Sequence, residues 1–136
     1  MAELQAGMTL ERTYTVTHEL TAAALAARDP DGLTLPAVWS TPDMIAKMEI
    51  VSAALVAPYL APPQMTVGTR NEVGHLGATP VGMTVRVRST LSQVEGRKLT
   101  FTVEAFDEKE QVGEGVHTRF IVDRAKFDSR LAEKAK

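Results

Sequence analysis

Thr41-Pro42-Asp43-Met44-Ile45-Ala46-Lys47-Met48-Glu49-Ile50-Val51-Ser52-Ala53-Ala54-Leu55-Val56-Ala57-Pro58-Tyr59 is the one long helical pattern in the chain, and very little of it is polar. At about 100° per residue, Met44, Ile45, Met48, Val51, Ser52, Leu55, Val56 and Tyr59 share one broad arc, and Ala46, Ala53, Ala54 and Ala57 fill much of the rest. Only Asp43 and Lys47 mark a wet side. Such a helix has to be covered on more than one face, by a sheet of its own chain and by a second subunit. Its start reads as a Thr41 cap followed by a proline allowed in the first turn and an acid at the positive end of the dipole. Its end is expected near Tyr59, before Pro62 and Pro63.

Upstream, Met8 to Thr17 alternates, with Leu10, Arg12, Tyr14 and Val16 on one side, and predicts a first strand. Glu19 to Arg28 is alanine-rich and predicts a short helix, which Asp29-Pro30-Asp31-Gly32 closes with turn chemistry. Leu33 to Trp39 is a connector. Downstream the period changes to two: Met65 to Val73, Met83 to Leu91, Lys98 to Phe106 and Gln111 to Val122 predict four strands in an antiparallel meander. Leu99, Phe101, Val103 and Ala105 form the clearest apolar face, with Val85, Val87, Val112, Val116 and Phe120 as companions. The charged tail after Asp123 predicts a short surface helix. A first strand, one buried helix and a strand series give an α+β fold, a curved antiparallel β-sheet wrapped around a long central α-helix. A single domain over residues 1–136 is expected.

Composition narrows the function. With 44% hydrophobic and 24% charged residues the chain is ordinary for a soluble globular protein. The longest weakly polar stretch, Ile50 to Pro63, is too short to span a bilayer, so no membrane role is expected. A net charge of −2 and 5% aromatic residues offer neither the field nor the stacking platforms for nucleic acid. There is no cysteine, so disulfides and thiolate chemistry are excluded. Met1-Ala2-Glu3-Leu4-Gln5 has neither a basic start nor an apolar run, which argues for a cytoplasmic protein without a cleaved leader.

Three side chains carry the chemical interest: Thr41, Glu49 and His75. A hydroxyl, a carboxylate and an imidazole together activate water or a nucleophile against a carbonyl. Each also has a plain structural reading. Thr41 alone is a helix cap, and His75, between Gly74 and Gly77, is a core-edge histidine. Glu49, among Ile45, Ser52, Ala53 and Val56, is a carboxylate that reaches water or answers an arginine across an interface. A carboxylate on an apolar flank is costly unless it is paired or functional, so Glu49 is the odd one. His18, His75 and His117 lack the short spacing of a metal site, and no metal or other cofactor is expected. Gly113 and Gly115 lie inside a strand pattern, which excludes a dinucleotide loop, and no nucleophile elbow is present.

The motifs around these residues resemble the fluoroacetyl-CoA thioesterase-like branch of the hotdog-fold thioesterases. The similarity runs through Leu35-Pro36-Ala37-Val38-Trp39-Ser40-Thr41-Pro42, Glu49, Val67-Gly68-Thr69-Arg70 and His75-Leu76-Gly77-Ala78-Thr79-Pro80-Val81-Gly82. It continues in Gly96-Arg97-Lys98-Leu99-Thr100-Phe101, Ala105-Phe106-Asp107 and Val112-Gly113-Glu114-Gly115, and covers about residues 8 to 127. The resemblance implies a hotdog fold that dimerises by joining two sheets edge to edge. It also implies a catalytic set of Thr41, Glu49 and His75 near the subunit interface, with Gly68 placing the thioester. Trp39 and Arg70 are further candidate substrate contacts, and Arg70, Arg86, Arg88 and Arg97 are candidate partners for CoA phosphates. The expected function is hydrolysis of a small or medium acyl-CoA. The connector from Leu33 to Trp39 supplies Trp39 but no phenylalanine, so specificity for fluoroacetyl-CoA is not expected. The rival reading is a hotdog that binds acyl-CoA or another small ligand without turnover. A hotdog hydratase would carry an aspartate–histidine pair in a motif that is absent.

Overall fold

The computed structural model describes residues 3–136. Residues 1 and 2, where the stretch read for a leader begins, lie outside the described residues. The strands are β1 (Thr9–Thr15), β2 (Gln64–His75), β3 (Thr84–Glu95), β4 (Lys98–Phe106) and β5 (Gln111–Asp123), and the helices are α1 (Ala22–Ala26), α2 (Thr41–Val56) and α3 (Arg124–Lys134). All five strands form one antiparallel sheet in the order β1-β3-β4-β5-β2.

That order corrects the expected four-strand meander. Only β3, β4 and β5 are consecutive neighbours, whereas β2 pairs with β5 at the far edge. Alternation reports which face a side chain takes and carries no information on which strand lies beside it. The segment between His75 and Thr84 therefore crosses the sheet instead of turning a hairpin, and β2 is left with one open side.

Helix α2 packs against every strand. Met44, Met48, Val51, Leu55 and Val56 are buried against Val85, Val87, Leu91, Leu99, Phe101, Val103 and Ala105. Burial of each such side chain is worth roughly 1.5–3 kcal/mol, and this interface is the main source of the fold's stability. Gly113 sets how closely helix and sheet approach: a Cβ there would stand 2.6 Å from Met44 Sδ and 3.1 Å from Met48 Cε.

Several local expectations change. The α2 cap is Ser40, whose hydroxyl accepts from Asp43 N–H at 3.1 Å. Thr41 is the first helical residue. The α-helix stops at Val56 and continues as a 3-10 turn over Ala57–Tyr59, because Pro58 has no N–H to give to the preceding turn. The helix expected over 19–28 is a 3-10 turn at His18–Leu20 and then α1. Thr21 separates them, accepting from Ala24 N–H at 3.1 Å and forming a bridge with Trp39. Val116 and Phe120 lie on the exposed face of β5, so they are not companions of the β4 core row. Helix α3 forms where the tail predicts it, capped by Asp123. No helix among the described residues is long and apolar enough to cross a membrane.

Candidate active site

Because Ser40 caps α2, the Thr41 hydroxyl is free to bond elsewhere. It lies 2.6 Å from His75 Nδ1, joining the start of α2 to the end of β2. Trp39 is buried, and its Nε1–H donates to Asp43 at 2.8 Å. Its indole meets the His75 ring edge-on, with centroids 6.3 Å apart. Hydroxyl and indole therefore fix the imidazole from two directions. The other ring nitrogen, Nε2, is buried without a partner. Burial also lowers the His75 pKa below its ordinary 6.5, so the ring is neutral at neutral pH. Thr41, His75 and Trp39 open on a cleft of about 350 Å³, whose remaining wall is apolar and includes Pro36, Val38 and Ala78.

Glu49 stands eight residues further along α2, about 12 Å along the helix axis. Its Oε2 accepts from Asn71 Nδ2 at 2.8 Å, and its Oε1 lies 3.8 Å from Arg119 Nη1. Gly68 sits between these groups. A Cβ on it would be 3.2 Å from Arg119 Nη1, 3.3 Å from Glu49 Oε1 and 3.3 Å from His117 Cε1. The register of β2 against β5 shifts between Gly68 and Arg70, a bulge of the kind that re-aims a strand beside a site.

Arg119 and His117 border the candidate site beside Glu49 and Gly68, and the sequence reading missed them. The Arg119 guanidinium donates to Thr66 Oγ1 at 2.9 Å and to the Thr66 carbonyl at 3.0 Å, and its Nη1 lies 3.2 Å from His117 Nε2. An arginine has no lone pair to offer, so His117 accepts through Nε2 and its Nδ1–H donates to the Arg70 carbonyl at 2.9 Å. The His117 ring stacks on Phe101, with centroids 6.0 Å apart. Burial, helped by the Arg119 charge, holds the His117 pKa below its ordinary value. The result is a relay of fixed groups from the β2 backbone through His117 to Arg119, which faces Glu49. Its signal in the sequence is the pair His117 and Arg119 at alternate positions of a strand whose neighbour, β4, is apolar at every inward position.

The fold thus brings Thr41, His75 and Trp39 together at one end of α2 and β2. It brings Glu49, at the middle of α2, together with Gly68 and Asn71 near the middle of β2 and with Arg119 of β5. Within one chain the two groups do not meet. Arg70 contributes its carbonyl to the His117 bond, while its exposed guanidinium pairs with Glu72. Arg86 and Arg88 are likewise committed, to Glu11 at 3.2 Å and to Glu104 at 2.9 Å.

A five-stranded antiparallel sheet packed around one central helix is the hotdog fold of the thioesterase superfamily. The family model described as fluoroacetyl-CoA-specific thioesterase matches residues 16–125. The fluoroacetyl-CoA thioesterase of Streptantibioticus cattleyicolor is 33% identical over 131 residues, covering 96% of this chain and 94% of that protein. A solved structure of a fluoroacetyl-CoA thioesterase superposes with a TM-score of 0.92 at 32% identity, covering 98% of both chains. A Thermus thermophilus member of the thioesterase superfamily does so with a TM-score of 0.87 at 28% identity, covering 98% of this chain and 97% of the other. The chain belongs to the fluoroacetyl-CoA-specific thioesterase family. It is an acyl-CoA thioester hydrolase, and the rival reading of a binding protein without turnover finds no support in these relatives.

Proposed function

We infer that the working enzyme is a cytoplasmic homodimer in which each active site takes Thr41 and His75 from one protomer and Glu49 and Gly68 from its partner. The observation that carries this reading is the placement of the two half-sites along one exposed strand, His75 at its end and Gly68 and Asn71 near its middle. β2 has an open side, and its residues Gly68 to Glu72 are exposed. A twelve-residue edge strand is a template for pairing with another copy. Ile50, next to Glu49, is 49% exposed, an apolar side chain on the flank such a dimer covers. An antiparallel β2–β2 pairing about a twofold axis near Asn71 and Glu72 sets Gly68 of one protomer opposite His75 of the other.

In such a site the thioester carbonyl lies beside Gly68, where the absence of a side chain leaves room, and the acyl group occupies the cleft beside Trp39. Neutral His75, held by Thr41, takes a proton through Nε2 from the water and then hands that proton to the departing thiolate. Glu49, oriented by Asn71, either activates the attacking water or attacks the carbonyl itself. In the first route the water oxygen bonds to the carbonyl carbon as the carbon–sulfur bond breaks. In the second, Glu49 displaces the thiolate to form a mixed anhydride, which water then hydrolyses to restore the carboxylate. Both routes end in a carboxylic acid and the CoA thiol. Backbone N–H groups near Gly68 hold the developing oxyanion.

The acyl group is small or medium. The connector that borders the cleft carries Leu33 and Leu35, both exposed, and no phenylalanine, so no aromatic lid closes around a fluoromethyl group. Measurement of thiol release from short, branched, aromatic and halogenated acyl-CoAs tests this reading. Turnover of several small acyl-CoAs, abolished in Glu49→Gln, is expected; thiol release from fluoroacetyl-CoA alone would refute the broad preference.

A further inference from the structure

Four arginines are candidates for CoA phosphates, and the structure separates them. Arg70, Arg86 and Arg88 each pair with a carboxylate. Arg97 has no carboxylate partner among the described residues; its Nη1 donates to the Ile121 carbonyl at 3.3 Å, and it lines a second cleft of about 340 Å³. Lys126 and Arg130, one turn apart on α3, line the same cleft, and neither pairs with a carboxylate among the described residues. Phe120, Ile121, Val122 and Phe127 supply the apolar lining of the cleft. The one acid present, Asp123, is spent on capping α3, where it accepts from Lys126 N–H at 3.1 Å. Three cations against the single carboxylate of Asp123 leave the cleft with a positive surplus of two, in a chain of net charge −2.

We propose that this cleft, built from Arg97, Lys126 and Arg130 around Phe120 and Phe127, binds the 3′-phosphorylated ADP moiety of the acyl-CoA substrate. The inference rests on the thioesterase reading and locates the other end of the same substrate. Phosphates meet the three cations, and the adenine ring lies on the phenylalanines. The position suits the long pantetheine arm. Phe120 pairs in register with Val67, beside Gly68, and its neighbour Arg119 faces Glu49. The nucleotide therefore sits on the outer face of the sheet, and the arm reaches the site past the Gln64–Val67 end of β2.

The test is the double variant Lys126→Glu/Arg130→Glu, both positions being exposed on α3. It is assayed with acetyl-CoA and with the acetyl thioester of N-acetylcysteamine, which lacks the nucleotide. KM for acetyl-CoA is expected to rise about tenfold or more at unchanged kcat, with the truncated thioester unaffected. Calorimetry should show adenosine 3′,5′-bisphosphate binding to the parent and not to the variant, with adenosine alone binding neither. A KM for acetyl-CoA that rises less than about threefold overturns the proposal. So does equal damage to both substrates, or a parent that ignores the bisphosphate. If the parent hydrolyses neither thioester, the catalytic reading fails separately, and the calorimetry still decides the nucleotide site.

Discussion

Glu49 and Arg119 face each other at 3.8 Å across the α-carbon of Gly68. That distance is too long for a hydrogen bond, and the Glu49 side chain is 38% exposed, so solvent screening leaves the pair little net stability. Arg119 is held in place by Thr66 and His117, and it presents a fixed positive charge to a carboxylate whose own position is set by Asn71.

Gly68→Ala is the smallest change that enters this space. Its Cβ would press on Arg119, Glu49 and His117 at 3.2–3.3 Å, contacts that side-chain ends can relieve by shifting a few tenths of an ångström. The fold should survive and the site geometry should not. We expect kcat/KM to fall about tenfold or more, with little change in Tm.

Arg119→Met and Glu49→Gln should separate packing from charge. Removal of the guanidinium leaves the Thr66 carbonyl and His117 Nε2 without donors, at about 1–3 kcal/mol for each buried group. Glu49→Gln removes only the weak pair and should change stability by less than about 0.5 kcal/mol while abolishing turnover. Urea unfolding of the two variants checks both; equal losses would mean that the ion pair matters to the fold.

The two histidines make the protein sensitive to acid. Both His75 and His117 have pKa values lowered by burial from 6.5, so in the unfolded chain they take up protons at a higher pH than in the fold. Their contribution to stability is intact above about pH 6.5 and declines as pH falls through the folded pKa values. Tm should therefore drop between pH 7 and pH 5, and His117→Gln should flatten that drop. For activity, the acid limb that belongs to His75 in the kcat/KM profile should have its midpoint below 6.5; a midpoint at or above 7 would show that the ring is not the buried neutral base described above.

Gly113→Ala tests the helix–sheet contact. A methyl group 2.6 Å from Met44 Sδ forces Met44 or the helix to move. A loss of about 1–3 kcal/mol is expected in urea unfolding.

Much of this architecture was legible in the sequence, and the exceptions share a cause. The buried arc of α2, the apolar row Leu99–Phe101–Val103–Ala105 and the bounds of β4 follow from local periodicity, which burial enforces directly. The pairing of β2 with β5 does not, since it depends on where the segment after His75 leads the chain. The wet side expected at Asp43 and Lys47 does not hold either, since the two pair at 3.2 Å and are 18% exposed while Ile50 faces outward. Ser40 and Thr41 are both capping residue types one position apart, so only geometry shows which caps and which is left for His75. In the sequence Arg119 draws no attention and His117 only as a candidate metal ligand, because a single strand does not reveal that its polar positions lie beside Glu49. The motifs single out Thr41, Glu49 and His75 as a set; that Thr41 meets His75 while Glu49 meets Asn71 required the fold.

The shared dimeric site is tested most directly by co-expressing Glu49→Gln and His75→Ala, each inactive alone. If each site takes Glu49 from one protomer and His75 from the other, every mixed dimer contains one intact site, and a random mixture should recover about a quarter of the parent's thioesterase activity. If all catalytic groups come from one chain, no mixed dimer contains an intact site and the mixture should stay inactive, which would contradict the shared site.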